Sequence, residues 1–353
     1  MSWNHNSIYN KPIVQSDLEA VWHRVAIDSF QGKSMLITGA NGLMAMYMLF
    51  AFAYAVEHLG LHVRIVATSR NLSGLKSRYA LFLDKSWFEI AEWDVAEPLS
   101  RNHDVDYIFH FAGDSSPYHI ATDPVGILKA NLLGTVNVCE FAVKNNADKI
   151  VFASTREVYG AHAKREMLDE TSFGVIDPLN PRSCYPESKR VAESVLEAYH
   201  RQHGLDYAVA RIAHCYGPGM RLENDGRIMA DVIAGALNYG LIILRSDGRA
   251  LRSFCYVTDA IVALLIIAAD NTGIRAFNLA NETEEIAISD LARLVADLHG
   301  ECEVTIENTD IDKGLYCAYQ RVPLDCSRLE GLGWHPEVCL TDGLKRVIES
   351  FRV

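Results

Sequence analysis

Ser34-Met35-Leu36-Ile37-Thr38-Gly39-Ala40-Asn41-Gly42-Leu43-Met44-Ala45 is the stretch that decides the fold of this chain. Ser34 to Thr38 is a short apolar run that reads as a strand, and a helix is expected from Leu43 to about His58. Between them Gly39, Gly42 and Ala45 form G-x-x-G-x-x-A. The first glycine permits a tight turn, and the second lets backbone approach a pyrophosphate. A small third residue lets helix and strand pack closely. A glycine turn before a helix is common by itself. In this strand–turn–helix setting it points to dinucleotide binding, with Gly39, Asn41, Gly42 and Leu43 as candidate contacts.

Working outward, further strands are predicted at Val63 to Thr68, Trp87 to Trp93, Tyr107 to Ala112, Ile150 to Ser154 and Tyr207 to Ile212. Helices are predicted from about Val125 to Lys144 and from the Tyr185 region to Gly204, a C-cap. Strands alternating with helices imply a parallel sheet covered on both faces. After Tyr216-Gly217-Pro218-Gly219 the pattern is less regular, with short strands at Leu241 to Leu244 and Phe277 to Leu279 and a helix from Ile288 to His299. The expected organisation is an N-terminal helical extension (1–33), a mainly dinucleotide-binding Rossmann lobe (34–215) and a mainly substrate-binding lobe (216–353), with the lobes interleaved. In the extension, Ser16-Asp17-Leu18-Glu19 reads as a capping box that opens a short packing helix.

Bulk properties narrow the function. The chain has 353 residues, 49% hydrophobic and 22% charged, with a net charge of −12. That is ample for a large α/β core. The chain has no long basic run, which argues against nucleic acid as a partner. Eight scattered cysteines (139, 184, 215, 255, 302, 317, 326, 339) with no CxxC pair read as free thiols in a reducing compartment. The thirteen histidines show no zinc spacing, so no metal is expected. Met1 to Asn6 lacks the features of a signal peptide, and Met44 to Val56 and Ile261 to Ala269 are too short to span a bilayer. A soluble cytoplasmic protein is expected.

Tyr185 and Lys189 lie four residues apart, on one face of the predicted helix. An ammonium beside a phenol stabilises its anion and lowers its pKa from about 10. Tyr185 is therefore a candidate acceptor for an alcohol proton. At the end of the second strand, Ala67 stands where an NAD site usually carries an acidic residue, with Arg70 close behind. Arg70 could pair with a 2′-phosphate, stack on adenine or lie in solvent, so NAD is the expected cofactor and NADP stays open. Asp94 suits either an adenine contact or a turn cap.

The ordered motifs resemble the extended short-chain dehydrogenase/reductase family of nucleotide-sugar epimerases, dehydratases and decarboxylases. They are TGANGLMA (38–45), HFAGDSSP (110–117), NLLGTVNV (131–138), ASTREVYG (153–160), YPESK (185–189), RIAHCYGPG (211–219), RSFCYVTDA (252–260), FNLANETEEIAISDLA (277–292) and LGWHP (332–336). NPRSCYPESKRVAE (180–193) and NDGR (224–227) are most similar to UDP-glucuronate decarboxylases. The resemblance implies a doubly wound Rossmann α/β sheet with a smaller C-terminal α/β substrate lobe, and a homodimer built through two helices per subunit.

It further implies that Tyr185 takes the proton of a sugar 4-hydroxyl, that Thr155 hydrogen-bonds the same hydroxyl and that Lys189 holds the cofactor ribose. Val95, Ala112 and Asn131 fall at cofactor positions, with Asn131 ordering the active-site helix. Ser115 lies on the loop beside the nicotinamide and sugar. Arg252 and Arg321 match arginines that reach the substrate diphosphate and nucleotide. His214 stands where the family often has Asn, as a substrate contact or a buried histidine, and Gly219 replaces an arginine of the decarboxylases. Dehydratases carry Thr-Asp-Glu and decarboxylases Thr-Ser-Glu where this chain has Thr155-Arg156-Glu157. Loss of the Asp counts against elimination of a 6-hydroxyl, and Glu157 is retained. Arg156 would either pair with an anionic group at the sugar C6 or point to solvent or Asp114. The expected activity is decarboxylation of UDP-glucuronate through a 4-keto sugar, with 4-epimerisation as the next alternative and 4,6-dehydration as the third. A net reductase and a cofactor-sensing binding protein are further alternatives, the last opposed by the joint retention of Thr155, Tyr185 and Lys189.

Overall fold

The structure is a computed structural model that describes residues 6–99, 104–162, 167–307 and 321–352. Cys317 and most of the stretch read for a signal peptide lie outside these residues. Six strands follow the expected alternation: β1 (Ser34–Thr38), β2 (Arg64–Ser69), β3 (Phe88–Glu92), β4 (Tyr107–His110), β5 (Lys149–Thr155) and β6 (Tyr207–Ile212). A seventh, Ala276–Leu279, joins the same sheet beside β6. All pairings in this sheet are parallel, in the order β3-β2-β1-β4-β5-β6 and then the seventh strand. The near-continuous burial of β1 and β6 is what a sheet covered on both faces requires.

The register brings the carboxyl ends of the strands together. Thr38 pairs with both Thr68 and His110, and Thr155 pairs with Ile212. The chain order reverses between β1 and β4, and ligands of such sheets bind at that switch point. There Thr38 Oγ lies 2.8 Å from His110 Nδ1 and accepts the Ala112 N–H at 3.1 Å. These bonds fix the loop after β4 against the glycine turn.

The helix Leu43–His58 starts directly after that turn and is buried on nearly every side. The extension helix runs from Pro12 to Trp22, not from the capping box at Ser16. Proline at the first helical position, with its fixed φ, starts the helix earlier, and Ser16 falls inside it. Its buried face, Val14, Asp17, Leu18, Val21 and Trp22, packs on Leu43–His58 and on the helix Val257–Ala269.

The C-terminal part adds the helices Ile228–Tyr239, Ile288–His299 and Leu340–Phe351 and the two-stranded pair Leu241–Leu244 with Glu303–Ile306. Asp259, on the helix Val257–Ala269, ties it to the N-terminal extension. Its buried carboxylate accepts from Arg24 at 2.6 Å and from the backbone N–H groups of Glu337 and Val338, each at 3.1 Å. Among the described residues no helix is long and apolar enough to cross a membrane.

Candidate active site

A cleft of about 1110 Å³ runs from the glycine turn, across the ends of β1, β4 and β5, to the C-terminal part. Gly39, Asn41, Gly42 and Leu43 form its floor at one end. Thr155, Arg156, Glu157, Tyr185 and Lys189 occupy its middle, and Arg227, Arg252 and Arg321 stand on its far wall.

The glycine turn fits a dinucleotide sterically. Gly39 has φ 66°, and a Cβ there would lie 2.7 Å from the Ala112 backbone nitrogen. Gly42 is the N-cap of Leu43–His58 and its side makes no cap, so the first N–H groups of the helix face the cleft. Asn41 donates to Ser69 Oγ at 2.8 Å and to the Asn71 carbonyl at 3.1 Å, tying the turn to the end of β2. Gly39→Ala is expected to cost about 1–3 kcal/mol of stability and to weaken dinucleotide binding. Thermal melts with and without NAD would check this, and an unchanged ligand-induced shift would count against the assignment.

The expected adenine-side contacts are only partly brought together. Arg70 is exposed and is not among the residues lining the cleft. Arg78, the last residue of the next helix, does line it, beside Asn71 and Gly74. Asp94 is exposed and caps a turn by accepting the Ala96 N–H at 3.1 Å. Val95 is buried against Gly134, and its carbonyl accepts from Asn137 at 2.8 Å. Ala112 is buried behind the lining residues Phe111 and Gly113.

The helix Cys184–His203 carries Tyr185, Ser188, Lys189, Ala192 and Leu196 on one buried face. Glu193 docks that helix on the sheet by accepting from Ser154 Oγ at 2.6 Å and pairing with Arg211 at 2.7 Å. Lys189 Nζ donates to the Ala153 carbonyl at 2.8 Å and sits 4.5 Å from the centre of the Phe152 ring. Burial lowers its pKa to about 7, with Glu193 opposing. Asn131 is fully buried and donates to Ser188 Oγ at 2.9 Å, while its Oδ1 has no protein partner. That orphaned acceptor and the Lys189 ammonium both flank Gly113.

The Tyr185 phenol departs from expectation. Its pKa lies above the ordinary value because burial disfavours the phenolate and the Glu157 carboxylate adds to the penalty. A hydrogen bond with Thr155, then Arg182 and Arg227, partly offset this. The spacing argument places Lys189 on the right face, but its ammonium is turned to Ala153 and does not dominate the phenol.

Thr155 ends β5, and its Oγ accepts the Glu157 N–H at 3.2 Å. Glu157 is held by Arg182 through two parallel bonds of 2.8 Å each. Burial raises the Glu157 pKa, and Arg182, Arg156 and Arg252 pull it back. Arg182 escaped the sequence reading, although it stands three residues before Tyr185; only the turn Pro181–Ser183 aims it at Glu157. Arg227 was also missed. It pairs with buried Asp225 at 2.5 and 2.6 Å and faces the cleft.

Arg156 lines the cleft and donates to the Val322 carbonyl at 3.0 Å. Asp114, the other direction considered for it, lies 2.6 Å from His119 Nδ1. Ser115 lines the cleft between Asp114 and Ser116. His214 is exposed to the cleft, with φ 37°, so it is not a buried core histidine. The surrounding protein and then Arg156, Arg252, Arg321 and Arg227 hold its imidazole neutral, well below the ordinary pKa. Arg252 also lines the cleft and donates to the Leu251 carbonyl at 2.7 Å. Arg321 is buried and ion-paired with Glu282 and Glu285, and it donates to Ser253 Oγ at 2.7 Å. Its charge is thus already answered by two carboxylates, which the sequence reading did not foresee.

Chemically, the cleft places a phenol, a hydroxyl and a clamped carboxylate beside a dinucleotide turn, with a cationic far wall. Residues 35–280 match the family model for the NAD dependent epimerase/dehydratase family. UDP-glucuronic acid decarboxylases 6 and 5 of Arabidopsis thaliana are 34% and 36% identical, each over 90% of this chain and 89% of the relative. The structure of a UDP-glucuronic acid 4-epimerase from Bacillus cereus, in complex with UDP-glucuronic acid and NAD, superposes with a TM-score of 0.74. It is 20% identical and covers 90% of this chain and 98% of that one.

Proposed function

The chain belongs to the NAD-dependent epimerase/dehydratase family, and on that premise we propose that it decarboxylates UDP-glucuronate through a 4-keto sugar. The observation that carries this reading is the grouping of Thr155, Arg156, Glu157 and Tyr185 at the end of β5, in one cleft with the glycine turn. Relatives of the same length with that activity at 34% and 36% identity support it.

NAD supplies reversible oxidation of the sugar carbinol at C4. Gly39, Gly42 and the first N–H groups of Leu43–His58 would hold its pyrophosphate, and Lys189 and Asn131 its nicotinamide end. Tyr185 Oη takes the proton of the 4-hydroxyl, and Thr155 Oγ orients both. Proton transfer by a positioned group contributes roughly 10²–10⁴-fold. The 4-ketone makes the C6 carboxylate a β-keto acid, whose C5–C6 bond breaks to release carbon dioxide; the electron pair left at C5 takes a proton there, and the ketone would be reduced back to the alcohol as the cofactor is regenerated. Glu157, held in place by Arg182, is the group assigned to the proton at C5. Arg156 faces the C6 carboxylate, and Arg252 and Arg227 answer the diphosphate charge as guanidinium groups do best.

The test is to incubate the purified protein with UDP-glucuronate and weigh the product. Loss of carbon dioxide without net cofactor reduction is the expected result. An unchanged mass would mean 4-epimerisation, and loss of water would mean dehydration; either overturns the decarboxylase reading. Arg156→Ser is expected to raise KM for the uronic acid about 10-fold or more, the worth of a charge-assisted contact, with little effect on binding of UDP-glucose. Equal effects on both ligands would remove Arg156 from C6.

The reading includes a homodimer. The packed helices Pro124–Lys144 and Cys184–His203 leave Val125, Leu128 and Val191 exposed, at 60%, 40% and 42%. It also includes a reducing, cytoplasmic setting, supported by the free thiols of the described cysteines.

A further inference from the structure

The N-terminal segment carries none of the motifs assigned to the cofactor or substrate, yet it reaches the cleft. Ile8 is fully buried and backs the cleft wall beside Gly219 and Met220. Gly219 has φ 79°, and a Cβ there would lie 2.7 Å from Met46 Cε and 3.0 Å from Ile8 Cδ1. The space that a side chain at 219 would enter is therefore filled by Ile8 and Met46. Met46 belongs to the first turn after the glycine loop, and its N–H donates to the Gly42 carbonyl at 3.0 Å. Ile8 thus props the turn that carries the dinucleotide contacts.

The same segment is fastened to both sides of that end of the cleft. On one side, Tyr9 Oη donates to Glu57 at 2.7 Å, and the Tyr9 ring packs on Phe50 and Phe82. On the other, Lys11 Nζ donates to the Arg352 carbonyl at 2.9 Å, and Phe351 and Arg352 line the cleft. Between them, fully buried Asp17 accepts from Tyr256 Oη at 2.6 Å and is ion-paired with Arg346 of the C-terminal helix. One short segment joins the glycine-loop helix to the C-terminal helix.

We propose that this segment is a strap holding the dinucleotide end of the cleft closed, and that Ile8 is its cofactor-positioning residue. The inference rests on the use of NAD by this chain. A wall fixed before binding lowers the ordering cost of the ligand, and its release then requires the strap to move. In a reaction that regenerates its cofactor each cycle, NAD need not leave, so a closed wall obstructs nothing.

The test is calorimetric titration of NAD into the full chain, comparing Ile8→Ala, the milder Ile8→Val and Val14→Ala. Val14 is buried in the same segment but does not line the cleft. Ile8→Ala is expected to bind NAD about tenfold more weakly, and Ile8→Val to lie between it and the unaltered protein. Val14→Ala should lower the melting temperature without changing NAD affinity. Equal weakening by Val14→Ala would show that the segment only stabilises the fold, and unchanged affinity in both Ile8 variants would exclude the prop; either overturns the proposal. Failure of the unaltered protein to bind NAD would overturn the cofactor premise itself, a result distinct from both.

Discussion

Tyr185→Phe is expected to lower turnover on UDP-glucuronate by about 10²–10⁴-fold, the range of positioned proton transfer. Only the hydroxyl is removed, and the aromatic ring keeps its place on the buried helix face with Ser188 and Lys189. Melting temperature and NAD affinity should therefore stay close to those of the unaltered chain. The raised pKa of the phenol sharpens this expectation. A phenol held protonated by burial and by Glu157 is a poor base by itself. On the proposed reading, proton acceptance by Tyr185 then calls for positive charge near it when the site fills, which NAD would supply. The variant should consequently fail at the first oxidation: no reduced-nicotinamide absorbance should build up on mixing with UDP-glucuronate. Normal build-up of that absorbance would take Tyr185 out of the proton transfer.

Arg182→Met should be the most damaging change outside the catalytic set. Arg182 and Glu157 have side chains only 12% and 20% exposed, and their paired bonds make Arg182 the main counter-charge of Glu157. Removing one member of such a pair costs about 3–5 kcal/mol when burial is complete, so about 3 kcal/mol is expected here. The sign of the pH effect follows from the shifts. Burial already raises the Glu157 pKa, and Arg182 is the largest influence pulling it down. Without Arg182 the pKa rises further, and the ionised carboxylate is lost at a higher pH. The acid limb of the kcat/KM profile should move upward in pH, and an unmoved limb would show that ionised Glu157 is not required. In the double variant with Glu157→Gln, stability should recover in part because no buried charge is left unpaired, while turnover should not.

Features that repeat along the chain were legible in the sequence. The ends of β1 and β6 agree with the apolar runs at Ser34 and Tyr207, and the Tyr185–Lys189 face follows from helical spacing. Features created by distant partners were not. Glu282 and Glu285 read as polar loop residues, and only the tertiary path through Ser253 brings them to Arg321. Arg70 sits at the expected distance from β2 but points outward, because Asn71 accepts the Gly74 N–H and starts the next helix there. That helix delivers Arg78 instead. The helix at Pro12 shows the same limit on a local scale: two start signals lay four residues apart, and packing of Val14 against the core favoured the earlier one.

The return of Ala276–Leu279 to the sheet, after the long excursion through Ile228–Tyr239 and Val257–Ala269, governs when the protein can finish folding during synthesis. Until residue 279 has left the ribosome, β6 is the last strand and offers a bare row of backbone donors and acceptors along Tyr207–Ile212. Such an edge is a template for pairing with another chain, and it stays open while residues 213 to 279 are made. The pairing also has a large sequence separation, which slows folding. A nascent or prematurely ended chain that stops short of Ala276 is therefore the aggregation-prone species of this protein, however well its dinucleotide turn has formed.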